Sequence, residues 1–160
     1  MQPQEAFPNT NRKSDRKIAR KREISAPAEP PALPALICTR QVADLCGLDA
    51  DESGFFMSLV EIFREKAGRD LLEMRASAAR GDARATARAA HALRGSAGSI
   101  GAERLEVLCE KQEERGRQGD MEGARGAMTE LALCLSETLL ALKARAAAAS
   151  DLSSPLSVAG

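Results

Sequence analysis

Apolar side chains recur at helical spacing through most of this chain. Phe56, Leu59, Val60, Phe63, Ala67, Leu71, Met74 and Ala78 fall on one stripe at about 100° per residue. This predicts a long amphipathic helix ending near Arg80, with Asp49 or Asp51 as its cap. A short helix is expected before it, from Cys38 to Cys46, closed by Gly47. Gly81-Asp82 then supplies a stop and a new cap, opening a third segment that runs to about Gly98. A fourth starts near Gly101 and reaches Gln118, with Leu105, Leu108 and Cys109 inward. Gly119-Asp120 repeats the stop-and-cap chemistry. A last helix is expected over 121–147, with Met128, Leu131, Leu135, Leu139 and Leu142 on its stripe.

Long amphipathic helices joined by short turns must pack as antiparallel neighbours. The expected fold is therefore all-α: an antiparallel up-down four-helix bundle with a short extra N-terminal helix, occupying residues 38–147. Residues 1–37 differ in kind. They combine the basic stretch NRKSDRKIARKRE with the Pro/Ala run APAEPPALPAL, carry no apolar stripe, and are expected to be a disordered arm. A frayed, disordered tail is expected over 148–160.

Charge narrows the possible partners. Lys and Arg number 23 and so do Asp and Glu. Seven basic and four acidic residues lie in the arm, which leaves the bundle slightly acidic with sixteen against nineteen. With no Trp, no Tyr and four Phe, a base-stacking surface is hard to build, so no nucleic acid is expected on the core. The arm alone could meet anionic partners. The start MQPQEAFPNT lacks an apolar signal region, and no uncharged apolar run is long enough to span a bilayer. The expectation is a cytoplasmic protein without a membrane role. Cys38, Cys46, Cys109 and Cys134 show no CxxC spacing beside a single histidine, so they read as reduced packing residues and no metal site is expected.

The stretch RATARAAHALRGSAGSIGA carries the candidate chemistry. On a helical wheel Thr86, Ala89, Ala90, Leu93, Ala97 and Ile100 gather on the side away from His91, so the imidazole points out of the bundle. Arg84, Ala87, Arg88, Arg94, Gly95 and Gly98 lie within about 60° of it. That neighbourhood is bare and cationic. Gly95 costs about 1 kcal/mol relative to alanine inside a helix, so its placement there favours access over stability. Cations beside an imidazole disfavour its protonated form and keep a ring nitrogen nucleophilic, and they can stabilise phosphoryl oxygens. An ordinary solvated histidine on an Arg-rich helix is the alternative reading of the wheel.

The segment AHALRGSAGSIGAERL resembles the signature of histidine phosphotransfer (HPt) domains, and the likeness extends over roughly residues 50–145. The resemblance implies a phosphorelay intermediate. His91 would carry the phosphoryl group on the ring nitrogen farther from the backbone, and Gly95 would leave room for a receiver domain. Arg94 stands where the family commonly has lysine and would help neutralise the phosphate, with Arg88 beside it. Ser96 matches the serine after the glycine and would either bond near the ring or cap backbone within the helix. Gln112 departs from the apolar residue expected in the fourth helix, with Arg115 a turn later.

No nucleotide-binding motif is visible, so the chain reads as a phosphoryl carrier and not an enzyme, without a cofactor of its own. The implied partners are receiver domains of a hybrid histidine kinase and of a response regulator, which would bring the Mg²⁺. Phe55 and Ile62 flank the core stripe of the long helix, and Met57 and Leu72 fall outside it; they would dock a receiver or pack on the short first helix. A helical interaction module that binds a receiver or kinase without accepting phosphate is the alternative.

Overall fold

A computed structural model describes residues 33–48 and 54–153, with side chains through 149. Among these residues six helices follow in order: α1 Thr39–Gly47, α2 Phe55–Arg80, α3 Ala83–Ile100, α4 Glu103–Gln118, α5 Met121–Gly126 and α6 Met128–Ser153. No strand occurs among the described residues. α3 packs between α2 and α4, and α6 closes the bundle against the same two helices.

The stripes expected from spacing form the core. Phe56, Val60, Phe63, Ala67, Met74 and Ala78 of α2 are buried, and Leu59 and Leu71 are half-buried. From α4 come Leu105, Leu108 and Cys109, and from α6 Leu131, Cys134, Leu135, Leu142 and Ala146. Cys38 and Cys46 are half-buried, and Cys109 and Cys134 are buried.

The two Gly-Asp turns are built alike. Gly81 and Gly119 adopt left-handed φ of 74° and 76°, a region that penalises any Cβ. The aspartate that follows caps the next helix: Asp82 Oδ1 accepts from the Ala85 amide, and Asp120 Oδ1 from that of Gly123, each at 2.9 Å.

Four expectations need correction. Leu36 and Ile37 pack against the core, the Cys38 amide donates to the Gly101 carbonyl at 2.7 Å, and Arg104 Nε donates to the Pro34 carbonyl at 3.1 Å. Residues 33–37 therefore belong to the bundle and not to the arm; residues 1–32 lie outside the described residues. The N-cap of α2 is Gly54, with no side-chain cap. Asp49 and Asp51, expected there, lie outside the described residues.

The expected last helix is split at Ala127 into α5 and α6. Gly123 and Gly126 weaken helix propensity at that point, and Gln112 Nε2 donates at 2.9 Å to the Ala124 carbonyl. In a continuous helix that carbonyl would serve residue 128. Gln112 is thus fully buried as an anchor for α5, and its Oε1 accepts from Arg115 Nη1 at 2.9 Å. Finally, α6 runs beyond 147 to Ser153, because its alanine run is the strongest helix former available. Residues 154–160 of the expected tail lie outside the described residues.

Candidate functional site

The inward residues of α3 decide where its histidine points. Thr86, Ala89, Ala90, Leu93, Ala97 and Ile100 are all buried. The His91 side chain, on the opposite side, is 65% exposed.

Helix α4 approaches this face closely. At Gly116 an added Cβ would lie 2.8 Å from both the Cβ and the amide nitrogen of Ala87. Only a residue without a side chain permits that contact. Ala87 sits one turn before His91, and Glu113 sits one turn before Gly116. The approach therefore carries the Glu113 carboxylate under the imidazole, where it is 4% exposed, with Oε1 at 3.0 Å from Nδ1.

This contact determines which ring nitrogen is free. A carboxylate can only accept, so Nδ1 carries the proton and donates it to Glu113. Arg94 Nη2 also stands 3.4 Å from Nδ1, but a guanidinium only donates, and one nitrogen cannot serve both. The shorter, charge-assisted contact with Glu113 prevails. Nε2 then holds the lone pair on the exposed side of the ring.

The surroundings are less uniformly cationic than the wheel suggested. Arg94 is drawn toward acids: its Nε lies 3.3 Å from Glu113 Oε2 and its Nη1 3.7 Å from Glu110. Arg117 Nη2 grips the same Glu113 Oε1 that faces His91. Arg88 and Arg84 are exposed on the His91 face and make no ion pair among the described residues. Lys66 of α2 adds a cation from the other side, with Nζ 2.7 Å from Asp70 and 3.5 Å from the Ala92 carbonyl. Ser96 donates to the same Ala92 carbonyl at 3.0 Å, so its hydroxyl serves the helix backbone and not the imidazole. Around Gly95 the space is open, with nothing within 4 Å of an added Cβ.

Neither Glu113, Arg117 nor Lys66 was singled out from the sequence. Glu113 lies 22 residues from His91, and helical periodicity carries no information about such a pair. Its one visible signal was Gly116, a glycine inside an otherwise strong helix former. Phe55 and Ile62 share the stripe of Lys66 on α2, toward α3, at about 100° per residue. They are 41% and 63% exposed. Met57 and Leu72 project from the other side of α2.

A family model described as Hpt domain matches residues 58–145, more than half of the chain. The chain belongs to the Hpt domain family. Hpt domains are phosphocarrier modules of two-component phosphorelays. Two solved structures share the helical fold. One is histidine-containing phosphotransfer protein B (HptB) from Pseudomonas aeruginosa PAO1: 22% identity, TM-score 0.63, covering 69% of this chain and 94% of that one. The other is a rice protein named as a candidate histidine-containing phosphotransfer protein: 18% identity, TM-score 0.62, covering 73% and 85% respectively. No match was found among curated proteins. No cluster of potential metal ligands occurs among the described residues of this Hpt domain, and none of their helices is long and apolar enough to cross a membrane.

Proposed function

We propose that His91 accepts a phosphoryl group from the aspartyl phosphate of one receiver domain and passes it to an aspartate of another. The observation that carries this is the exposed imidazole whose Nδ1–H donates to the buried Glu113 carboxylate at 3.0 Å, which leaves the lone pair on Nε2. In the accepting step the Nε2 lone pair forms the N–P bond, and the acyl phosphate P–O bond breaks to leave a carboxylate on the receiver. The Nδ1 proton stays in place, so the ring gains positive charge, which Glu113 offsets. Transfer onward reverses these changes.

Arg88 and Arg84, exposed and without an ion pair among the described residues, are the cations best placed to meet phosphoryl oxygens, with Arg94 held back by Glu113 and Glu110 and Lys66 by Asp70. Gly95 opens the approach. Phe55 and Ile62 supply apolar surface on the side from which a receiver would cover the ring. Magnesium and the aspartate come with the receiver, and nothing in this chain is asked to bind ATP. We further place the exchange in the cytoplasm, where the buried thiols of Cys109 and Cys134 stay reduced.

Incubation with a receiver carrying labelled aspartyl phosphate tests the reading. Label should move to the wild type in acid-labile, base-stable form and not to His91→Gln. Binding of the receiver without transfer would favour the non-phosphorylated interaction module.

A further inference from the structure

We propose that Arg117 is a positioning residue for phosphotransfer, holding Glu113 against Nδ1 so that Nε2 stays nucleophilic. The proposal rests on His91 being the phosphoryl carrier.

Two groups compete for Nδ1. Glu113 Oε1, at 3.0 Å, accepts the ring proton and leaves Nε2 bare. Arg94 Nη2, at 3.4 Å, is a donor. Were Arg94 to win, Nδ1 would become the acceptor, the proton would move to Nε2, and the nucleophile would be lost. A difference of a few tenths of an ångström between neighbours is small protection for a tautomer.

Arg117 supplies the bias. It lies four residues after Glu113 on α4, and its Nη2 holds Oε1, the same oxygen that faces the ring. The other oxygen, Oε2, is buried without a hydrogen bond and has only the 3.3 Å approach of Arg94 Nε. A carboxylate turns readily about its last torsion. Without Arg117, Glu113 would swing toward the Arg94 guanidinium to satisfy Oε2, uncovering Nδ1 to the competing donor. The arrangement follows the general logic in which a third group orients the partner of a reactive side chain. The Arg117 side chain is 59% exposed, so it can be removed without opening the core.

The test is the ¹⁵N NMR signature of the His91 ring at a pH where the ring is neutral, read alongside transfer from a labelled receiver. Wild type should show protonated Nδ1 and bare Nε2. Arg117→Ala should shift the population toward protonated Nε2 and slow transfer about tenfold, the lower end of the loss when a partner that orients a metal-ligating histidine is removed. Arg117→Lys keeps a cation on Oε1 and should restore both.

An unchanged ring signature in Arg117→Ala overturns the proposal whether or not transfer slows; slowed transfer would then assign Arg117 to receiver contact. A wild type that takes no label defeats the carrier reading instead. The ring comparison then decides only whether Arg117 sets the His91 tautomer, and the role in phosphotransfer falls with the carrier reading.

Discussion

Gly116 touches Ala87 through the space where its side chain would be, with only 2.8 Å available to a Cβ. This contact sets the separation of α3 and α4 at the level of the reactive face. It also explains a glycine that costs about 1 kcal/mol within a helix.

Replacing it tests that role. Gly116→Ala should gain helix propensity but overpack the interface, where strain of about 1–3 kcal/mol outweighs a gain of about 1 kcal/mol. The net expectation is a lower melting temperature together with loss of the Glu113–His91 contact. Calorimetry and the His91 ring shifts measure the two effects. A stabilised Gly116→Ala protein would show that α4 does not need this approach.

Gly95 should behave oppositely. No atom lies within 4 Å of an added Cβ, so Gly95→Ala has no internal clash and should stabilise the domain by about 0.5–1 kcal/mol. Transfer from a receiver should nevertheless slow, since the added methyl meets the partner. Denaturant unfolding paired with the transfer rate checks the opposition, and a variant that is faster in transfer would refute it.

Glu113→Gln keeps shape and removes charge. The phosphorylated ring gains positive charge that Glu113 offsets and a neutral amide does not. At equilibrium with a receiver, label should therefore move away from His91 toward the aspartate. A charge-assisted hydrogen bond at a nearly buried site is worth about 1.5–3 kcal/mol, so a tenfold shift or more is expected. The distribution of label between the two proteins at long times reads it out.

Gln112 serves the frame and not the chemistry. Gln112→Leu would leave the Ala124 carbonyl without its donor, at a cost of about 1–3 kcal/mol. Label transfer to His91 should be retained below the melting transition. Loss of transfer in a folded Gln112→Leu protein would tie the α5 anchor to the reactive face.

Burial pushes the Cys109 thiol from 9.0 up to about 12, with Cys134 adding to the rise. Burial likewise raises Cys134. A raised folded value contributes stability that is complete below the unfolded value and is lost as pH rises through the folded one. The unfolding free energy should accordingly fall as pH climbs from about 9 toward 12. Cys109→Ala should flatten that fall while lowering stability at neutral pH. In native protein at pH 8, mass spectrometry should find no iodoacetamide on Cys109, since the thiolate is the reacting form.

The range of the forces involved separates what the chain's spacing shows from what only its packing shows. Apolar period, Gly-Asp turns and the small residues of α3 act within a few turns, so spacing alone determined the helices, the bundle and the outward direction of His91. Spacing could not register Leu36 and Ile37 packing beyond the prolines, because that segment is held by residues far along the chain, with Cys38 bonded to Gly101 and Pro34 to Arg104. Nor could it place the break at Ala127, which follows from Gln112 taking a carbonyl on another helix. The buried carboxylate at Nδ1 was decided by tertiary structure alone. It lies 22 residues from His91, and its position depends on two backbones meeting at Gly116 and Ala87. Helical periodicity shows which side of a helix is outward; only packing shows which charge from another helix reaches it.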